Sequence, residues 1–149
     1  MISMIRRMLT FRQREQPPFG RELGLCSRKH FLARLTEERE RTRRTGNPFS
    51  LLIADIGRIA RALAGQPKGK APRRLYRDLV RSLVSGSRKT DIKGWFEENE
   101  VGFILPGTAI GGAFKYREKM LHRIEKQWKG VQEDQLQEFI RILSFGDAE

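Results

Sequence analysis

Residues 88–108 read RKTDIKGWFEENEVGFILPGT, and this stretch decides the fold of the chain. Two apolar runs, 91–96 and 101–105, flank a short polar tip. The residues of the tip are Glu97, Glu98, Asn99 and Glu100. Two strand-like runs joined by a four-residue loop predict a β-hairpin. The tip is a catalytic carboxylate cluster, the remnant of one, or only the solvated turn of a hairpin.

The pattern outside the hairpin favours an α+β domain. Apolar residues at helical spacing predict four helices, and short apolar runs predict two further strands. The expected helices span about 28–44, 56–64, 75–84 and 109–129, and the expected strands span 49–55 and 139–145. Ser27 is expected to cap the first helix. The order α-β-α-α-β-β-α-β, with helices on one face, favours a mixed, mostly antiparallel central sheet.

Composition bounds the class of protein. The 149 residues, 38% of them hydrophobic, suit one globular domain. No apolar run approaches the ~20 residues that a membrane helix needs, and no signal peptide is visible, so we expect a cytoplasmic protein. The single cysteine, Cys26, excludes an internal disulfide. No Cys/His cluster predicts a metal site.

The chain is strongly basic, with a net charge of +12 and a pI of about 10.7. Such a field attracts polyanions, so nonspecific binding of nucleic acid or an anionic membrane is one alternative. We expect residues 1–22 to form a flexible basic segment that could contact a membrane surface or a partner. Residues 23–149 are expected to form the folded domain.

Five short motifs lie in order at 24–31, 50–56, 97–101, 104–108 and 144–146. Together they resemble the GGDEF domain of diguanylate cyclases, whose fold is akin to the palm of adenylyl cyclases. The first motif is similar to an opening "GLxNRRxF", the second to a strand that delivers a metal-binding aspartate, and the third occupies the signature hairpin tip. The last two are similar to "LLPxT" and "SIG". The resemblance implies a GGDEF palm-like fold over nearly the whole chain.

The hairpin tip departs from the family pattern. Glu97 and Glu98 replace the two glycines that let the backbone approach the guanine nucleotide. Asn99 replaces an acid that holds magnesium, and a neutral amide is a poorer Mg²⁺ ligand than a carboxylate. Glu100 remains as the acid at the fourth position. The tip therefore resembles the remnant of a catalytic site.

Other parts of the family's active site are also changed. Asp55 remains at the end of its strand, but the second aspartate of "DxD" is Gly57. The "FKxxND" that contributes phosphate and base contacts reads IARALA at 59–64. We therefore expect no cyclase activity, no catalytic residues and no cofactor. Weak Mg²⁺ binding by Asp55 and Glu100 is the less favoured alternative.

One binding motif of the family is intact. Arg88 and Asp91 form an RxxD, separated from Glu97 by five residues. The resemblance implies an inhibitory-type site that binds cyclic di-GMP. An arginine can donate two hydrogen bonds to guanine O6 and N7, and a carboxylate can accept from N1–H and N2–H. We expect Arg77 and Arg81 to help neutralise the two phosphates.

The favoured function is therefore a catalytically inactive receptor for cyclic di-GMP. The resemblance implies that such a receptor regulates exopolysaccharide production, motility or biofilm formation in a bacterium. The ligand would bridge two copies, giving a homodimer, or change how a protein partner docks. A protein-protein interaction module without nucleotide binding is the alternative, and no specific nucleic acid is expected.

Overall fold

The structure is a computed structural model that describes residues 21–65 and 71–146. The basic segment predicted over 1–22 lies outside these residues except at its last two positions. The helices are α1 (Arg28–Thr45), α2 (Ile56–Leu63), α3 (Arg73–Ser85), α4 (Ile110–Gln127) and α5 (Glu133–Leu136). The strands are β1 (Phe49–Asp55), β2 (Ile92–Trp95), β3 (Glu100–Pro106) and β4 (Ile140–Phe145). Short 3₁₀ turns occupy Arg21–Leu23 and Gln137–Phe139.

The four strands form one sheet in the order β2-β3-β1-β4, with each neighbouring pair antiparallel. The α+β class and the order of the main elements agree with the sequence prediction. The register sets Asp55 opposite Glu100 and sets Phe49 opposite both Pro106 and Phe145. The hairpin tip and the last acid of β1 therefore meet at one end of the sheet.

Helices cover both faces of the sheet, so the expectation of helices on one face is wrong. Leu52 and Phe103 face a cluster shared with α2, α3 and α4. Leu51 and Ile104 face the opposite cluster, which contains Phe31 of α1. The central strands β1 and β3 are apolar at consecutive positions, so both of their faces must be shielded from water.

The first helix begins and ends as its residue types predict. Ser27 Oγ accepts a hydrogen bond from His30 N at 3.1 Å and caps the first turn. Gly46 ends the helix with a φ of 78°, a left-handed conformation that glycine adopts without steric cost. These two residues set where α1 begins and where it ends, and β1 begins three residues after Gly46.

A pair of glycines lets α1 pack closely on the hairpin. Gly94 and Gly102 lie opposite each other across β2 and β3. A Cβ atom at Gly102 would lie 2.5 Å from Phe31 Cζ, and one at Gly94 would lie 2.6 Å from Cys26 Sγ. The two missing side chains form the groove that receives the fully buried Phe31 ring.

Candidate functional site

The hairpin tip is a four-residue connection, residues 96–99, which lies one residue earlier than the predicted 97–100. Glu100 N donates to Glu97 O at 3.0 Å, and Phe96 N donates to Glu100 O at 2.9 Å. Asn99 has a φ of 61°, and asparagine tolerates this left-handed conformation better than most residues. Glu100 therefore belongs to β3 and not to the loop, which places its carboxylate beside the end of β1.

Two further contacts fix Asn99 to the neighbouring elements. Its carbonyl oxygen accepts a hydrogen bond from Ile56 N at 2.9 Å, at the start of α2. Its side-chain Oδ1 accepts one from the Tyr76 hydroxyl on α3 at 2.6 Å. Burial raises the pKa of Tyr76, so the hydroxyl keeps its proton and remains a donor. Asn99 thus serves the packing of the tip.

The two acids that meet at this end of the sheet, Asp55 and Glu100, are paired with arginines. Asp55 caps α2 by accepting from Arg58 N at 3.0 Å, and its Oδ2 lies 3.5 Å from Arg58 Nε. Glu100 Oε2 accepts from Arg141 Nη2 at 3.1 Å. These side chains line a cavity of about 300 Å³ at the hairpin end of the sheet, together with Glu97, Glu138 and Phe139.

Glu100 is held in a poorly solvated position. Burial raises the pKa of its carboxyl to about 7. Arg141 opposes this shift, whereas the charges of Glu97 and Asp55 add to it. One of its oxygens, Oε1, is buried without a hydrogen-bond partner among the described residues. A carboxyl of this kind is only partly ionised at neutral pH.

This cavity does not fit the metal that the family resemblance implies. Arg58 and Arg141 already supply positive charge to Asp55 and Glu100. No group of three or more His, Cys, Asp or Glu side chains in residues 21–65 and 71–146 is arranged to hold a metal ion. The positive charges next to Asp55 and Glu100 are those of Arg58 and Arg141.

At the other end of β3, Asp91 is the centre of a buried polar cluster. Its side chain is fully shielded from solvent. Oδ2 accepts from Arg88 N at 2.8 Å and from the Tyr116 hydroxyl at 2.9 Å. Oδ1 accepts from Arg88 Nε at 3.1 Å and lies 3.1 Å from Arg88 Nη2. Asp91 is thus bound on both oxygens by residues of its own chain.

Arg88 lies between this cluster and solvent, with 53% of its side chain exposed. Its Nη2 also donates to Thr108 Oγ1 at 3.1 Å. Its guanidinium carbon lies 5.9 Å from the centre of the Tyr116 ring. Burial, followed by the nearby Asp91, raises the pKa of Tyr116, which keeps the hydroxyl protonated. The guanidinium is held by three partners, and its Nη1 group takes part in none of these contacts.

Arg88 lines a pocket of about 430 Å³ between the end of β3 and α4. Three further cations line it, namely Lys115, Lys119 and Arg123. None of the described residues that line it carries a carboxylate. The buried Asp91 lies behind the lining, and this set of side chains gives the pocket a positively charged lining that would attract an anion.

The positions predicted to assist Arg88 lie elsewhere. Arg77 and Arg81 are exposed on α3, and neither is among the described residues that line this pocket. Its other cations come from α4, where Lys115, Lys119 and Arg123 recur at four-residue spacing. This spacing places them on one helix face, and it is the sequence signal that could have found them.

Solved structures of diguanylate cyclases share this architecture. The diguanylate cyclase SiaD from Pseudomonas aeruginosa, solved in complex with its activator SiaC, is 24% identical to this chain with a TM-score of 0.54. A DGC protein from Thermotoga maritima is 16% identical, also with a TM-score of 0.54. This chain has a GGDEF-like fold.

The match covers most of this chain. It extends over 83% of the chain but only 45% of SiaD, and over 82% of both the chain and the Thermotoga protein. No protein-family model matches the sequence, and no curated protein matches it. The GGDEF-like fold is therefore recognised through its three-dimensional structure.

Within the GGDEF-like fold, the two sites lie at opposite ends of β3. Glu100 begins the strand at the acidic cavity, and Pro106 ends it two residues before Thr108 of the basic pocket. Among the described residues, no helix is long and apolar enough to cross a membrane. The expected membrane contact of residues 1–22 lies outside the described residues except at its last two positions.

Proposed function

We propose that this GGDEF-like domain is a noncatalytic receptor for cyclic di-GMP, which binds in the pocket beside Arg88. The observation that carries the proposal is the set of four cations around one 430 Å³ pocket that no described carboxylate lines. Cyclic di-GMP carries two phosphate charges on a compact ring. Lys115, Lys119 and Arg123 supply the positive charge to neutralise them, and the volume is typical of small-molecule sites.

Arg88 supplies the contact to the base. Its guanidinium is fixed by Asp91 and Thr108 on one side, while its Nη1 group is left to face a ligand. An arginine held in one orientation can donate to guanine O6 and N7. Because the side chain is already ordered, little rotamer entropy is lost when the ligand binds. This preorganisation favours guanine recognition at Arg88.

The same proposal includes loss of cyclase activity at the hairpin tip. Phosphoryl transfer depends on positioning and on metal ions that neutralise the developing charge. Here Arg58 and Arg141 pair with the remaining acids, and Glu97 brings a further negative charge into the cavity. Incubation of the purified protein with GTP and Mg²⁺ tests this part, and formation of cyclic di-GMP above background would contradict it.

Calorimetric titration of cyclic di-GMP into the wild type tests the receptor function. We expect micromolar or tighter binding at near-physiological salt, with Arg88→Ala and Lys119→Ala each weakening it at least tenfold. Arg81→Ala is the matched control, because it removes an exposed cation of the same domain from outside the pocket. Equal losses in all three variants, with steep salt dependence, would indicate nonspecific attraction of anions.

In this proposal the receptor acts in the cytoplasm of a bacterium, upstream of exopolysaccharide production, motility or biofilm formation. Occupation of the pocket transmits the signal either by bridging two copies of the domain or by changing how a protein partner docks. SiaD, of which the match covers 45%, was solved with an activator protein, and this motivates the second route. Light scattering with and without cyclic di-GMP separates the two routes.

A protein interaction module is the second candidate, and one observation favours it. Ile110 and Phe114, one turn apart on α4, are 41% and 46% exposed. They are the large hydrophobic side chains that stand out as exposed in the described part of the chain. A folded protein that gives no heat with cyclic di-GMP or GTP would leave this second function as the better explanation.

A further inference from the structure

The buried carboxylate behind Arg88 is already bound by residues of its own chain. An ionised carboxylate offers about four acceptor sites on its two oxygens. Arg88 N and the Tyr116 hydroxyl donate to Oδ2, and Arg88 Nε donates to Oδ1. These three donors lie 2.8–3.1 Å from their acceptor oxygens, and Arg88 Nη2 forms an ion pair with Oδ1 at 3.1 Å. Because the Asp91 side chain is also fully buried, a base edge could reach it only if Arg88 or Tyr116 moved.

Tyr116 closes the approach to Asp91 from the side of the pocket. Its hydroxyl bonds to Asp91 Oδ2, and its ring packs near the Arg88 guanidinium on one side and near Phe103 on another, with ring centres 6.3 Å apart. Tyr116 is itself among the residues that line the pocket. A molecule in the pocket therefore meets Tyr116 and Arg88 before it meets Asp91.

We propose that Asp91 and Tyr116 are positioning residues that orient Arg88, and that Asp91 does not contact the ligand. This inference rests on the proposed binding of cyclic di-GMP in the pocket. Its consequence is a change in what is recognised. Arg88 reads the acceptor edge of guanine, O6 and N7, whereas the N1–H and N2–H donors meet no carboxylate. The pocket selects guanine over adenine but does not detect the 2-amino group.

A ligand series tests this without altering the protein. The inosine analogue of cyclic di-GMP keeps O6 and N7 but lacks the 2-amino group. We expect its affinity for the wild type to match that of cyclic di-GMP within about threefold, since no hydrogen bond is lost. Cyclic di-AMP, which presents an amino group where guanine has O6, should bind at least tenfold more weakly.

The outcomes separate this inference from the function on which it rests. If neither cyclic di-GMP nor its analogues bind, the receptor proposal fails. If cyclic di-GMP binds and the inosine analogue binds tenfold or more weakly, Asp91 or another acceptor reads the 2-amino group and the inference is overturned. Equal binding of cyclic di-AMP and cyclic di-GMP would also overturn it, because Arg88 would then not read the base.

A double-mutant cycle gives an independent measurement. If Asp91 acts through Arg88, Asp91→Ala weakens the binding of cyclic di-GMP and the binding of the inosine analogue by the same factor. In the Arg88→Ala background, Asp91→Ala should cause no further loss. A further loss of tenfold in that background would reveal a direct contact of Asp91 with the ligand. Circular dichroism and thermal unfolding show whether each variant is folded. If a variant does not fold, the ligand series measured on the wild type still tests the inference.

Discussion

The guanidinium of Arg123 fills the space beside Gly86 in which a side chain at position 86 would otherwise stand. Gly86 follows the last residue of α3, and Arg123 lies on α4. The end of α3 thus leaves a notch through which Arg123 reaches the basic pocket. The position of the Arg123 guanidinium in the pocket therefore depends on the absence of a side chain at position 86.

Gly86→Ala is expected to displace Arg123 without unfolding the protein. Gly86 has φ and ψ of −90° and 0°, which alanine also adopts, and the clash involves only the flexible end of a side chain. Cyclic di-GMP affinity should fall about twofold to fivefold, the effect of one partly exposed ionic contact. Calorimetry measures it, with Arg123→Ala as the reference. An additive loss in the double variant would contradict the link between the two residues.

The glycine pair of the hairpin makes a prediction about stability. Gly102→Ala places a methyl group 2.5 Å from Phe31 Cζ, inside a closely packed cluster. Overpacking of this kind costs about 1–3 kcal/mol, which lowers the melting temperature by several degrees. Gly111→Ala is the matched control, since nothing lies within 4 Å of a Cβ atom there. Equal melting temperatures for the two variants would refute the close packing of α1 on the hairpin.

Glu100 gives the unfolding free energy a specific pH dependence. Its pKa rises from an ordinary value of 4.5 to about 7 in the folded state. As the pH rises from 4.5 to about 7, the Glu100 carboxyl releases its proton in the unfolded chain but retains it in the folded chain. The Glu100 carboxyl therefore lowers the free energy of unfolding over this pH range. The contribution is on the order of 3 kcal/mol and does not grow further above pH 7.

Glu100→Gln removes this contribution. The stability of the variant relative to the wild type should therefore increase between pH 4.5 and 7, as measured by urea unfolding at a series of pH values. Glu98→Gln, which removes a carboxylate from an exposed residue of the same tip, is the control. Parallel pH curves for the wild type and Glu100→Gln would show that the Glu100 carboxyl ionises alike in both states.

The two tyrosine hydroxyls are expected to have separable effects. Tyr76→Phe removes the 2.6 Å hydrogen bond to Asn99 and should lower stability by about 1 kcal/mol. Tyr116→Phe removes the bond to Asp91 and should also weaken cyclic di-GMP binding. Unfolding and calorimetry on both variants distinguish them. Weakened binding in Tyr76→Phe would mean that the acidic cavity and the basic pocket are coupled.

Much of the fold could be predicted because local chemistry specifies it. Ser27 caps a helix by its own hydroxyl, and the apolar run 49–55 must be buried wherever it lies. The predicted loop is displaced by one residue because Asn99, with its positive φ, ends the turn and Glu100 joins β3. Helix α5 (Glu133–Leu136) has only four residues, too few to show a helical period.

The composition of the basic pocket could not be predicted in the same way. The motif at Arg88 and Asp91 is local, but its surroundings depend on how α4 packs. The burial of Asp91 depends on Tyr116, which is 25 residues away in the chain. Both α3 and α4 carry a basic stripe. To predict which stripe lines the pocket, one must know how each helix is rotated about its axis, and charged residues on an exposed face do not specify that rotation.

Strand β3 has a consequence for how such a domain can change over time. Its seven residues separate the acidic cavity at Glu100 from the basic pocket beyond Pro106 by roughly 20 Å. Substitutions this far apart, with no shared partners, generally act independently. The strand therefore keeps the two sites far enough apart to be energetically independent. Successive substitutions can therefore change the chemistry at one end while selection preserves the other.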